Sequence, residues 1–503
     1  MQFCKPAALA AASIIALAGC AGTRVTPSAT AYSPQFQGTA AVQAANGAAS
    51  GPVQVYPIGD KGVNDVYLMD LKTGADGKLY FATTPAASSP TSGEIGWFDP
   101  AKHNQHYQQT IGYAPAFIQE TSDGTVWVDE YNNSSGMPTI DSYAGIGGAL
   151  TAIPIPVGPF TGGSYNGLDG ELAIAPDGSV WFGSANSSQV GWIDPLSYNV
   201  SVYGVTAPGD PWAPLPQHMT MGSDGSLWAT DIFNDGVYSI AVSGSNQGSS
   251  TFTQLPQGPW TGSNPVFLQG IAQASDRNLY TGDPAPQSGG SIDYGKATPS
   301  PSFTPLPLPA DGVLPDLLAA APGKVYFSDH RFGALGIRDL TAHTTVLLPL
   351  QFSVSAVGPL AVDGNGTPWV GCRTRTNGAC IESVTLSSVW NVFPGTTLVM
   401  YSSDPNGNTL PVGLLGIGET GNSGPFTVSS SGVCTAAIIN GYDHDVQVNP
   451  LATGRCTVSI TDAHARTVKV NVYVMHGSGW PPAYAPNPLL TAPARRPAAF
   501  ARR

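Results

Sequence analysis

Charge is scarce in this chain. Of its 503 residues only 11% are Asp, Glu, Lys or Arg, against the roughly 25% usual in soluble proteins. Positive charge is scarcer still, since 20 Lys and Arg stand against 33 Asp and Glu and leave a formal net charge of −13. Tracking phosphates needs a basic face, so a nucleic-acid partner is excluded and cationic or neutral partners are expected. Cysteine is sparse too: there are six and no CxxC pair. The strings that announce common catalytic sites are missing, with no HExxH, no GxSxG and no P-loop. One GxGxxG occurs, "GIGETG" at Gly416 to Gly421, but no helix follows to meet a pyrophosphate, and the string reads as a glycine-rich loop.

Turn-forming and apolar residues are what the chain has in quantity. It carries 60 Gly and 45 Pro, with 42% hydrophobic and 9% aromatic residues, a profile that favours all-β structure around a sizeable core. The first twenty residues, "MQFCKPAALAAASIIALAGC", join one early lysine to an apolar run from Pro6 to Gly19. That run is too short to span a bilayer and reads as an export signal. Its ending, "LAGC" at Leu17 to Cys20, resembles a bacterial lipobox, which implies lipid on Cys20; ordinary cleavage after a small residue is the alternative. By the same resemblance, Ala21 in place of an aspartate implies the outer membrane. Residues Ala21 to Ser50 have no hydrophobic period and read as a flexible tether. The membrane is then a partner only through the lipid, and the folded part is expected to be a monomer. Export also suits the last four cysteines, which fall into the local pairs Cys372–Cys380 and Cys434–Cys456. Two structural disulfides are expected, with four free buried thiols as the alternative.

One phrase recurs along the chain. It runs "DGKLYFAT" from Asp76, "DGTVWVDE" from Asp123, "DGSVWFGS" from Asp177 and "DGSLWATD" from Asp224, with weaker copies at Asp276, Pro322 and Asn365, spaced 43 to 54 residues apart. Apolar alternation on both sides of Asp-Gly predicts strand, tight turn and returning strand. Strings such as "EIGWFDP", "QVGWIDP" and "GVYSIAV" supply a third strand, and "NQHYQQTIG" and "NVSVYGV" a fourth. Four short strands per repeat, seven times over, predict a seven-bladed β-propeller across residues 51–387. The last blade lacks a clear fourth strand, while "VQVYPIG" at Val53 to Gly59 has no blade before it, so the N-terminal strand is expected to complete the last blade and close the ring. After the period stops, residues 388–476 hold short strands that predict a bacterial Ig-like β-sandwich, and the Pro- and Ala-rich residues 477–503 have too little pattern to fold alone.

The repeat text, above all "APDGSVWFG" with "QVGWIDP", resembles the streptogramin lyase (virginiamycin B lyase) group of propellers over about two thirds of the chain. That resemblance implies histidine bases and glutamates holding magnesium at the ring's mouth, and ring opening of a cyclic depsipeptide by elimination at an ester. Geometry indicates which positions to inspect. If the turns lie on one face, residues six before Asp and six after Gly return together to the opposite face. The inbound positions are Asp70, Phe117, Glu171, His218, Gly270, Asp316 and Pro359; the outbound ones are Thr83, Glu130, Ser184, Asp231, Asp283, Asp329 and Cys372. Half are acids, His218 is expected to face Asp231, and Asp329-His330 offers a second acid and imidazole. Converging carboxylates raise one another's pKa and favour a bound cation, magnesium or calcium, with Asp231, Asp283 and Asp329 as ligands. A solvated rim of acids that merely keeps the protein soluble is the alternative. His218 with Asp231 is a base pair for catalysis, or a hydrogen-bonded rim histidine. Two functions stay open: a tethered propeller binding a small ligand, peptide or glycan at an acidic mouth, and a metal-assisted carbon–oxygen lyase.

Overall fold

The computed structural model describes residues 53–478 apart from short connecting segments, the longest of them 157–169 and 257–269. Cys20, the 21–50 stretch, His330 and the tail beyond Ser478 lie outside the described residues. Among those described, every regular element is a β-strand, and the strands form nine sheets.

Seven sheets are blades. Each of the first six is a four-stranded antiparallel meander in chain order, the first built from Val66–Thr73, Leu79–Pro85, Gly93–Asp99 and Asn104–Thr110. The seventh is completed from the other end of the chain: Val53–Pro57 pairs antiparallel with Ala379–Val384, setting Val53 against Val384 and Pro57 against Cys380. Tyr56 pins this closure by packing on Phe98 of blade 1 and Trp369 of blade 7, with its hydroxyl 3.3 Å from His103 Nε2. The first strands of successive blades touch all the way round, blade 7 against blade 1 included, so the ring is closed.

The recurring phrase is explained by its turn. In six blades the turn glycine (Gly77, Gly124, Gly178, Gly225, Gly323, Gly366) takes a positive φ between 75° and 86°, and in blade 5 Arg277 takes φ 66° instead. This is a type I turn followed by a left-handed residue. The preceding Asp caps it: Asp224 Oδ1 accepts from Ser226 N and from Trp228 Nε1, both at 3.1 Å, and Asp276 accepts from Asn278 N at 3.0 Å and Tyr280 OH at 2.8 Å. In blades 1, 4 and 5 the aromatic four residues on (Tyr80, Trp228, Tyr280) thus fills the core while returning a donor to the turn. Each apolar core is shared by neighbouring blades, as where Tyr80, Ala82 and Ile95 of blade 1 meet Ile118, Val126 and Tyr143 of blade 2. The glycine in "WFG" keeps blades close, because a Cβ on Gly183 would sit 2.6 Å from the carbonyl oxygen of Pro216 in the next blade.

The remaining two sheets span Trp390–Ser478 and share one core, in which Leu415 and Val446 of one sheet meet Val458, Val470 and Leu398 of the other. It is a β-sandwich with one parallel pair, Thr397–Ser403 beside Thr467–Ser478. Its last strand runs two residues past the expected boundary. The "GIGETG" glycines are not a loop as expected: Gly416 and Gly418 belong to the strand Gly413–Glu419, paired to Trp390–Phe393. Cys372–Cys380 and Cys434–Cys456 are both disulfide-bonded, the first directly across neighbouring strands with Cα atoms 4.8 Å apart.

Candidate functional site at the propeller mouth

Five inbound residues meet around the central channel, opposite the Asp-Gly turns. Asp70 (blade 1), Glu171 (blade 3), His218 (blade 4) and Asp316 (blade 6) are all buried, and the ring of Phe117 (blade 2) meets His218 edge-on at 5.8 Å. Gly270 and Pro359 serve packing instead: Gly270 N donates to Asp316 O, and Pro359 O accepts from Gly371 N at 2.7 Å.

Two of these acids bind backbone across blade boundaries. Asp70 accepts from Leu71 N at 2.9 Å and, with its other oxygen, from Ile118 N of blade 2 at 3.0 Å. Glu171 Oε2 accepts from Met219 N of blade 4 at 2.8 Å, while its Oε1 takes the ammonium of Lys72. Burial raises the Asp70 carboxyl, and the Lys72 charge and the two amides draw it back only in part.

His218 does not face Asp231. A bulge between Pro216 and Met219 sets Asp231 against Pro216 and brings His218 Nδ1 to 3.4 Å from Glu171 Oε2. That approach lacks hydrogen-bond alignment, and Nδ1 is buried without a donor or acceptor partner. Burial pushes the imidazole down to about 3, with Lys72 adding to the effect and Asp70 and Asp316 opposing it. His218 is therefore a neutral ring.

The outbound positions are not brought together. Asp231 accepts from Asn234 N at 3.2 Å, Asn234 Nδ2 at 2.9 Å and the Tyr238 hydroxyl, closing its own hairpin. Asp283 and Asp329 end the second strands of blades 5 and 6, fully buried opposite Ser291 and Ala334, and Thr83 and Ser184 are equally buried. Glu130 is placed only by its backbone, opposite Pro115. These residues stand one strand out from the channel, each inside its own blade, so the expected trio Asp231, Asp283 and Asp329 does not gather as a metal site. Among the described residues no three His, Cys, Asp or Glu side chains come within reach of one ion.

The sequence reading missed Lys72, although alternation places it on the side of Asp70, and it missed the buried third-strand acids Asp141 and Asp293, both pushed up to about 7 by burial. A cavity of about 430 Å³ lies on the turn face, between the turns of blades 6 and 7, lined by Pro322, Lys324, Tyr326 and Asn365. Lys324 there is 3.5 Å from Asp339, and the buried Tyr326 hydroxyl donates to Gly366 O at 3.1 Å.

The fold and the closed ring define a β-propeller of seven blades. No protein-family model matches the chain, and no curated protein matches its sequence. Solved structures match in fold. A streptogramin B lyase structure aligns with a TM-score of 0.51 at 17% identity, covering 66% of this chain and 97% of that one. Virginiamycin B lyase from Staphylococcus aureus aligns with 0.51 at 18% identity, over 67% of this chain and 99% of that one. A catalytically inactive form of that enzyme with quinupristin gives 0.50 at 17%, over 66% and 99%. At such identities the likeness establishes the propeller and leaves the chemistry to the site.

Proposed function

We propose that this chain is an envelope-anchored binding protein whose propeller mouth holds a small ligand, a peptide or a glycan. Cys20 carries the lipid, residues 21–50 are the tether, and the C-terminal sandwich is an Ig-like spacer. The observation that supports the mouth as the site is the state of His218, buried and neutral with Nδ1 unpartnered among acids. An unpaired buried polar atom costs about 1–3 kcal/mol, which a ligand supplying the missing hydrogen bond recovers. The polar lining favours ligands that present N–H or O–H groups.

The lyase alternative finds less support. A general base works best with a pKa near the ambient pH, and an imidazole held at about 3 is too weak a base to draw a proton during elimination. Asp231, its expected partner, is engaged elsewhere.

Calorimetric titration with a panel of soluble glycans and short peptides tests the reading. His218→Ala is expected to weaken the best binder roughly tenfold or more, equivalent to about 1.4 kcal/mol, while Asp224→Asn on the turn face leaves it unchanged. Equal loss from both variants, or none from His218→Ala, would remove the mouth from the account. Magnesium-dependent opening of a cyclic depsipeptide ester would favour the lyase instead.

A further inference from the structure

The mouth already contains a cation, and it belongs to the chain. Lys72 follows Asp70 by two residues in the strand Val66–Thr73, so strand alternation sends both side chains to one side. Its ammonium is paired with Glu171 of blade 3 and lies 3.9 Å from Asp70 Oδ1, with the side chain 24% exposed. The pair spans from blade 1 to blade 3 across the position of blade 2. His218 adds no positive charge beside it: its Nδ1 is 3.4 Å from Glu171 Oε2, yet the ring is neutral and unpartnered there.

The surrounding oxygens do not fit the divalent ion that the acids suggest. Magnesium or calcium takes six or more oxygen ligands at roughly 2.0–2.6 Å. Here Asp70 turns both oxygens to backbone N–H groups, Glu171 turns one to Met219 N and the other to Lys72, and among the described residues no third His, Cys, Asp or Glu joins them around one ion.

We infer that Lys72 is the resident cation of the mouth: its ammonium holds the position an external cation would occupy between Asp70 and Glu171, and so sets the mouth's selectivity against free metal ions. The inference concerns the same place as the binding function above but stands on Asp70, Lys72 and Glu171, and its test uses a simple alkylammonium on Lys72 variants, so it can fail or succeed apart from the binding of a glycan or peptide. If it is right, deleting the lysine leaves two buried carboxylates without their counter-charge and opens a space shaped for an alkylammonium.

The experiment is thermal melting of the full-length protein with Lys72→Ala and Lys72→Arg, in n-butylammonium chloride and in tetramethylammonium chloride of equal ionic strength. Lys72→Ala is expected to melt on the order of 5 °C or more below wild type, because removing one partner of a buried ion pair strands the other. Saturable recovery should follow in n-butylammonium alone, by binding to the folded state. Wild type and Lys72→Arg should show no such recovery. Lys72→Ala as stable as wild type, or an equal amine response in wild type, would overturn the inference. Should Lys72→Ala fail to fold in buffer, refolding from urea asks the same question: recovery only with n-butylammonium supports the resident cation, and no recovery with it counts against. The charge-neutral double variant Lys72→Met with Glu171→Gln should melt near wild type and ignore the amine; a saturable response there also contradicts the proposal.

Discussion

The two faces of the ring use carboxylates in opposite ways. On the turn face Asp76, Asp123, Asp177, Asp224 and Asp276 are solvent-accessible, each accepts the backbone N–H two residues on, and their hydrogen bonds are local. At the mouth, Asp70 and Glu171 are buried and their bonds run to the next blade, to Ile118 and Met219. An exposed acid costs little to keep ionised, whereas a buried one needs several donors or a counter-cation. The turn face therefore shows why the sequence repeats, and the mouth shows where the repeat is interrupted by particular residues. Asp-Gly returns in blade after blade; Lys72, His218 and Phe117 occur once each.

That contrast can be broken in order of expected effect. Glu171→Ala strands Lys72 and Met219 N together, and a loss of about 3–5 kcal/mol is expected in urea unfolding. Replacing Asp293 by Asn should change the shape of the pH profile. Burial, reinforced by Asp283, holds Asp293 at about 7, above its unfolded value near 3.9, so the folded state binds the proton more tightly. Its stabilising contribution is complete below about pH 4 and disappears as pH rises to about 7. Asp293→Asn should remove that decline in melting temperature. Asp231→Asn, one strand out from the channel, disturbs the bonds from Tyr238 and Asn234 and should cost about 1–3 kcal/mol. The smallest effect is expected at the turn: Asp224→Asn weakens one cap and one indole bond, about 1 kcal/mol or less in the same urea assay. If Asp224→Asn cost as much as Glu171→Ala, the two faces would not differ as described.

The propeller was largely legible in the sequence because its grammar is local. A turn needing a left-handed residue, an aspartate capping it and an aromatic four residues later all lie within one short window, and the fourth strand absent from blade 7 pointed to Val53–Pro57. The mouth was legible only in part. Counting six residues back from each turn reaches Asp70, Glu171, His218 and Asp316, which are buried near one another in the structure. Counting forward to Asp231, Asp283 and Asp329 failed, because a strand-end residue can point into its own blade, and because the bulge at Pro216–Met219 shifts the register between His218 and Asp231. Bulges leave no reliable trace in alternation. Lys72 is not legible in the sequence, because a lysine two residues past an acid reads as a solvated strand position; only the arrival of Glu171, 99 positions away in the chain, gives it a role.

The proposed binding function depends on His218 being neutral inside the mouth. Burial and Lys72 hold it near 3, below its unfolded value near 6.5, so its contribution to stability is present above about pH 6.5 and is lost as pH falls towards 3. Histidine ring resonances followed by NMR, with His218 assigned by its absence in His218→Gln, report this directly. The account predicts a resonance that keeps its neutral-form shift from pH 8 down to pH 5 while exposed histidines titrate; a midpoint near 6.5 for His218 would contradict it.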